Sequence, residues 1–209
     1  MKGFFLTLDG IDGAGKSTHL AFIQQWIQKQ GIEAIFTREP GGTPLGEELR
    51  NILLHTSNQI HPETEALMMF TARCELLNEV IIPALNKGCW VVSDRFSDAT
   101  FAYQGGGRGV AWEKMEQLQQ WVQNDLRPNM TIILDVPLEV SLERLERSRE
   151  KDRFEQESPD FFIRVRQAYL KRAEDTQHYA VVRSDRDIEE VQADIEKILS
   201  GCLKQYQSL

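Results

Sequence analysis

The sequence predicts an α/β protein of three layers, a parallel five-stranded sheet flanked by helices. Three observations predict it. Short apolar runs suited to buried strands alternate with longer segments of helical periodicity, and a glycine-rich string follows the first run. No internal repeat, low-complexity tract or linker divides the 209 residues, so the chain is read as one domain, 1–209. Parallel strands need crossover helices, and helices on both faces leave the strands apolar throughout rather than alternating.

Phe4–Leu8 is the first such strand, ending in Asp9-Gly10. Ser17–Gln30 carries Leu20, Ile23, Trp26 and Ile27 at helical spacing, with Gly31 as its C-cap. Ile32–Thr37 is the second strand, and Arg38–Pro44 (Arg-Glu-Pro-Gly-Gly-Thr-Pro) a loop. Leu45–Leu54 and Glu63 to about Leu85 are helices. The second is apolar on most sides through Leu67, Met68, Phe70 and Leu77, with Pro83 near its end, where a break costs least. Cys89–Val92 is the third strand and runs out into Ser93-Asp94-Arg95. A glycine-rich loop, Gly105–Gly109, precedes a helix over Trp112–Asn124. Thr131–Val136 is the fourth strand, Leu138–Arg147 a helix, and Arg147–Glu157 a charged stretch. Ser158-Pro159-Asp160 supplies an N-cap and a first-turn proline to the next helix. Tyr179–Val182 is a weak fifth strand, and Ile188–Gln205 an amphipathic closing helix.

Composition narrows the function. Acids number 32 against 24 bases, a net charge of -8, which is the wrong sign for gripping a nucleic-acid polymer. A local basic site for a small phosphorylated ligand is compatible with it. No apolar run reaches the roughly 20 residues of a membrane span. The apolar opening, Gly3–Leu8, is too short for a secretory signal. Cys74, Cys89 and Cys202 are odd in number and lack Cys-x-x-Cys or Cys/His spacing, so they read as reduced thiols of a cytoplasmic protein.

The chemistry begins at Gly10-Ile11-Asp12-Gly13-Ala14-Gly15-Lys16-Ser17, followed by Thr18, which matches GxxxxGK[ST] at every fixed position. Glycines let the backbone curl so that successive N–H groups face phosphate oxygens, helped by the N-terminus of the following helix. Lys16 supplies a point charge for the outer phosphates and Ser17 an oxygen for Mg²⁺. A strand before the string and a helix after it make this a P-loop for a nucleoside triphosphate with Mg²⁺, not a chance glycine-rich turn.

The class of P-loop protein follows from what surrounds it. Asn86-Lys87-Gly88-Cys89 lacks the acid of an Asn-Lys-x-Asp guanine reader, and Asp94-Arg95 is not the acidic pair of a motor or helicase ATPase. Asp94 can hold metal-bound water, and the Arg95 guanidinium can bridge donor and acceptor phosphates; a plain structural ion pair is the alternative. Arg38 follows the second strand, at the same carboxyl edge where open α/β sheets bind ligands. Phe70 and Arg73, at i and i+3, put an aromatic face and a planar donor on one side of a helix. That pair suits a nucleobase, or equally a core Phe beside a surface Arg.

Four further strings carry a resemblance: Thr37-Arg38-Glu39-Pro40-Gly41-Gly42-Thr43, Asp94-Arg95-Phe96, Ala102-Tyr103-Gln104-Gly105-Gly106-Gly107-Arg108-Gly109 and Asp152-Arg153-Phe154-Glu155. In order and spacing they resemble bacterial thymidylate kinases, over most of the chain. The resemblance implies transfer of the γ-phosphoryl group of ATP to dTMP, giving dTDP for dTTP synthesis. It implies that Arg38 and Arg95 hold the acceptor phosphate, with Glu39 and Pro40 in the same site. Phe70 would stack on thymine, Arg73 would donate to its edge, and Thr100 and Gln104 would complete the base contacts. Tyr103 would fill the space of a ribose 2′-hydroxyl, and Asp12 would meet the 3′-hydroxyl. Asp9 and Asp94, with Ser17, would organise Mg²⁺.

The string departs from many relatives at Phe154, where they carry Ile, and the spacing of Arg144, Arg147 and Arg149 also differs from some. The P-loop holds no arginine, so the resemblance assigns the transition-state cation to a lid at about 147–157, with Arg153 first and Arg149 second. Lys16, Arg95, Asp94 and that lid arginine make up the expected catalytic set. The family is homodimeric, and the Glu63–Leu85 helix has more apolar surface than one sheet face needs. The remaining alternatives are a kinase for another nucleoside monophosphate or a deoxynucleoside, or a nucleotide-binding module without turnover.

Overall fold

A computed structural model describes residues 3–146, 152–174 and 177–207. Its sheet has five strands: β1 (Phe5–Asp9), β2 (Ala34–Arg38), β3 (Trp90–Asp94), β4 (Met130–Asp135) and β5 (Tyr179–Arg183). Their order across the sheet is β2-β3-β1-β4-β5, and every pairing is parallel. β1 is the central strand and all five of its residues are buried, which is why it reads as a continuous apolar run. The register sets Leu8 beside Asp94 and Arg38 beside Asp94, so the ends of three strands converge at one edge. The expected α/β architecture is present.

Helices α1 (Lys16–Lys29), α2 (Pro44–His55) and α3 (Pro62–Leu76) connect the first three strands. The Thr43 hydroxyl caps α2 by accepting from the Gly46 N–H at 3.0 Å, with Pro44 in the first turn. The predicted single helix over Glu63–Leu85 is composite. α3 passes into a π-helical stretch, Leu77–Ile81, and then into α4 (Ile82–Asn86). Pro83 explains the widening, since its ring would strike the carbonyl four residues back in a regular α-helix.

The second departure is larger. Instead of a loop at Gly105–Gly109, the chain forms α5 (Ser97–Thr100) and a π-helical stretch over Phe101–Gly107. These glycines serve close packing rather than a turn. A Cβ on Gly106 would lie 2.6 Å from the Ala168 Cβ and 2.8 Å from the Arg164 carbonyl oxygen. One on Gly107 would enter the Phe161 ring. Those partners belong to a helix that begins 52 residues after Gly107, beyond the reach of any local pattern.

After α6 (Trp112–Gln123) and β4 come α7 (Leu138–Glu146), α8 (Pro159–Arg172) and, past β5, α9 (Ile188–Gln207). Ser158 caps α8 through the Phe161 N–H at 3.3 Å, as its sequence predicts. The buried stripe of α9, Val191, Ile195, Leu199 and Cys202, has helical spacing and joins the larger core cluster. Tyr206 finishes the packing, edge-on to Trp90 and donating from its hydroxyl to the Gly88 carbonyl at 3.0 Å. All three cysteines are free thiols.

Candidate active site

The strand-to-helix turn after β1 has the predicted cradle form. Gly10 and Gly13 take φ of 138° and 78°, and a side chain on either would run into backbone oxygen, of Leu134 and Ser141 respectively, at 2.5 Å. The Ser141 hydroxyl donates to the Asp12 carbonyl at 2.7 Å and fastens the loop to α7. Lys16 curls over its own loop, donating from Nζ to the carbonyl oxygens of Gly10 (3.1 Å) and Ile11 (3.0 Å). Burial, reinforced by the Arg95 charge, lowers the Lys16 ammonium below its ordinary pKa.

Arg95 stands just past β3 with φ of 69°, a left-handed conformation that is strained for arginine. Four acceptors hold its guanidinium. Nη1 donates to the Gly10 carbonyl (3.0 Å) and the Tyr169 hydroxyl (2.9 Å); Nη2 donates to Asp12 Oδ1 and, at 3.2 Å, to the Tyr103 hydroxyl. Tyr103 donates in turn to Asp12 Oδ2 at 2.6 Å, and Tyr169 to Asp9 Oδ1 at 2.9 Å. Burial opposes the charge of Asp12, but Arg95 and Lys16 prevail and hold its carboxyl below the usual range. Asp9 goes the other way. Burial, added to by the Asp98 charge, pushes its carboxyl up to about 7. Asp9 Oδ2 and Asp94 Oδ1 are buried with no hydrogen-bond partner among the described residues.

A cleft of about 590 Å³ runs from this cradle to the β2–α2 loop. Of the predicted residues it brings together Asp12, Gly13, Gly15, Lys16, Ser17, Thr18, Glu39, Pro40, Asp94, Arg95, Tyr103 and Gln104. Gly10, Ile11, Ala14 and the buried Asp9 lie beneath it as the floor of the turn. Arg38 opens instead on an adjoining hollow with Ser17 and Asp94, where it pairs with Glu47 at 2.9 Å. Phe70, Arg73 and Thr100 stand behind the cleft wall. The Arg73 guanidinium is fully buried, donating to Glu39 Oε2 from Nε (2.9 Å) and Nη2 (2.6 Å) and from Nη2 to the Thr100 hydroxyl (2.7 Å). It lies between the Phe70 and Phe96 rings, 4.7 and 5.2 Å from their centroids. The surface-Arg alternative is thereby excluded.

The expected lid divides. Asp152, Phe154 and Glu155 line the cleft. Arg153 does not: it donates to the Leu53 carbonyl at 2.8 Å and to Glu65 Oε2 at 2.6 Å. Arg149 lies outside the described residues.

A nucleotide cradle facing an arginine at the neighbouring strand end describes more than one kind of phosphotransferase. The sequence model of one family, thymidylate kinase, matches residues 8–195. The chain belongs to the thymidylate kinase family. It is 58% identical to the thymidylate kinase of Neisseria gonorrhoeae (strain ATCC 700825 / FA 1090) over 96% of this chain and 98% of the relative. Identity is 57% to that of Nitrosomonas europaea, covering 95% and 93%, and 49% to that of Nitrosospira multiformis, covering 96% and 98%.

For a member of the thymidylate kinase family, the structure adds site residues that the sequence did not single out. Arg144 donates to the Gly13 carbonyl at 3.1 Å and the Ser184 carbonyl at 2.9 Å, which makes it a cation seated on the P-loop. Arg50 lines the cleft and donates to the Pro40 carbonyl at 2.9 Å. Tyr169 joins Asp9 to Arg95 from α8. Glu65 is buried among three donors from two segments, Gln104 and Arg108 on one and Arg153 on the other. Arg144 left a signal in the run of bases before the lid, and Glu65 in its spacing, an acid eight residues before Arg73 on the helix face that also carries Met69. Among the described residues no helix is long and apolar enough to cross a membrane.

Proposed function

We infer that this chain moves the γ-phosphoryl group of ATP onto the phosphate of dTMP, giving ADP and dTDP. One observation carries the reading of the site: Lys16 and Arg95 face each other across the loop, both bound to the Gly10 carbonyl oxygen, in a cleft that Glu39, Tyr103 and Gln104 also line. A donor over the P-loop and an acceptor against those three residues would meet at Arg95.

The acceptor oxygen of dTMP is already anionic, so no strong general base is needed. Catalysis is then alignment and neutralisation of spreading charge. Lys16 exchanges its backbone carbonyl partners for phosphate oxygens, and Arg95 leaves Asp12 to bridge the two substrates. Asp12, once released, takes the 3′-hydroxyl, while the Tyr103 ring occupies the space a 2′-hydroxyl would need. Arg38 and Arg50 approach the acceptor phosphate from the β2–α2 side. The lid supplies the further cation through Arg153 or Arg149; Arg153 would exchange Glu65 for phosphate to do so. Lid closure excludes water that would otherwise hydrolyse ATP.

The donor set fits Mg²⁺. Asp9 and Asp94 each carry a buried oxygen without a partner, Asp94 lines the cleft with Ser17, and no group of three His, Cys, Asp or Glu side chains forms a protein cage among the described residues. Mg²⁺ takes most of its ligands from phosphates and water, so an oxygen-only, sparse site suits it. Ser17 would ligate it, and Asp9 and Asp94 would hold its waters. When bound, it neutralises charge on the transferring phosphates. We place the enzyme in the cytoplasm, as a homodimer.

A coupled ADP-release assay over dTMP, dUMP, the ribo form of TMP, dCMP and AMP tests the reading. The expected order is dTMP above dUMP and far above the ribo form, since a ribose would clash or bury an unpaired hydroxyl at a cost of about 1–3 kcal/mol. Equal kcat/KM for deoxy and ribo acceptors would remove Tyr103 from its role, and no turnover of dTMP would remove the function.

A further inference from the structure

The acceptor wall rests on a buried carboxylate whose one part in the mechanism is to release Arg153. Glu65, in the first turn of α3, has no solvent exposure. Its Oε1 accepts from Gln104 Nε2 at 2.8 Å and from Arg108 Nε at 3.4 Å, and its Oε2 accepts from Arg153 Nη2 at 2.6 Å. A carboxylate in such a place persists only when paired and hydrogen-bonded, and the two guanidinium groups balance its charge.

The Gln104 bond has a different consequence. An ionised carboxylate only accepts, so the Gln104 atom facing it must be the amide NH₂. The amide is thereby fixed in one of its two orientations. Its carbonyl Oε1 is left buried with no partner among the described residues, on a side chain that lines the cleft. Arg73 is held in the same manner one layer behind. Glu39 and Thr100 take Nε and Nη2, and Nη1 remains a buried donor without a partner. The site therefore holds one committed acceptor in the cleft wall and one committed donor in the layer behind it.

We propose that Glu65 is a specificity-determining positioning residue: by fixing the Gln104 amide it makes the acceptor site select a base with a ring N–H beside a carbonyl over one with a bare ring nitrogen beside an amino group. The inference rests on the reading of the chain as a dTMP kinase. Thymine offers N3–H and a C4 carbonyl, which complement Gln104 Oε1 and Arg73 Nη1. Cytosine offers an N3 lone pair and a C4 amino group, which oppose both. Buried polar groups left facing like partners penalise the wrong base far more than lost contact area does. A glutamine at 65 would offer both a donor and an acceptor, so Gln104 could turn over, keep its bond and accommodate either pattern.

The test is kcat/KM for dTMP and for dCMP in the wild type, Glu65→Gln, Gln104→Leu and the double variant. The dTMP/dCMP ratio should fall about tenfold or more in Glu65→Gln and at least as far in Gln104→Leu. In the Gln104→Leu background, adding Glu65→Gln should move the ratio by less than about twofold, because the two substitutions remove one interaction. An unchanged ratio in Glu65→Gln overturns the proposal, even if both acceptors slow together, as a purely structural role would require. So does a tenfold fall that persists without Gln104. If thermal melting shows that Glu65→Gln does not fold, Gln104→Leu decides: an undiminished ratio there overturns it. Wild-type enzyme that fails to turn over dTMP would overturn the underlying reading instead, and is visible in the same data.

Discussion

At the scale of single residues, the site stores its charges in pairs that substrates would break. Lys16 rests on the carbonyls of Gly10 and Ile11, and Arg95 rests on Asp12. Replacing Lys16 by Met keeps the length of the stem and removes the charge. Lys16→Met is expected to fold normally by circular dichroism and to lose far more than tenfold in kcat. Retention of a tenth or more, a loss of about 1.4 kcal/mol or less, would take the phosphate role from Lys16. The lid arginines are separated by steady-state kinetics. If Arg153 leaves Glu65 to serve the transition state, Arg153→Ala should lower kcat about 10²-fold with little change in the KM for ATP. If Arg149 is the cation, the same loss appears in Arg149→Ala. Near-wild-type kcat in both would leave the lid a solvated loop.

At the scale of elements, the segment from Ser97 to Gly107 matters most, because it carries Tyr103 and Gln104 to the cleft and Thr100 to the layer behind it. It does so pressed against α8, whose start at Ser158 follows the lid directly. The fit depends on missing side chains at Gly106 and Gly107, where the backbone of one element meets Ala168, Arg164 and Phe161 of the other. Gly106→Val should cost about 1–3 kcal/mol of stability by overpacking. It should also raise the KM for dTMP, since Tyr103 and Gln104 lie within three residues. Chemical denaturation and acceptor titration check the two effects separately. A variant with unchanged stability would mean that α8 can retreat without loss.

At the scale of the whole molecule, α3 and α6 leave an apolar face open. Leu67 is 51% exposed and Trp121 80%, and both line a hollow of about 350 Å³ with Val110, Met115 and Leu118. This is the face through which the proposed homodimer would form. Light scattering after size exclusion should give about twice the chain mass for the wild type and a monomer for Leu67→Glu combined with Trp121→Glu. Because α3 also carries Glu65, Phe70 and Arg73, the monomer should show a weakened KM for dTMP. A wild-type monomer would end the proposal.

The order of strands and helices, the cradle from Gly10 to Ser17 and the capped start at Ser158 were legible from residue order alone. Each depends on neighbours within a few positions: a strand needs its own apolar run, a phosphate loop its glycines, a cap its hydroxyl three residues from the N–H it satisfies. The family's strings added which strand ends belong to one site. What tertiary structure alone decided is where contacts span long stretches of chain. Gly105–Gly107 has the composition of a loop, yet it is helical because α8 lies against it. Residue order leaves Arg73 open between a base donor and a surface side chain, and Glu39, 34 positions earlier, buries and pairs it. Arg153 reads as a phosphate clamp, yet in this conformation it sits on Glu65, 88 positions away. The energy of a buried charge is set by what the fold brings to it, and residue order does not encode that distance.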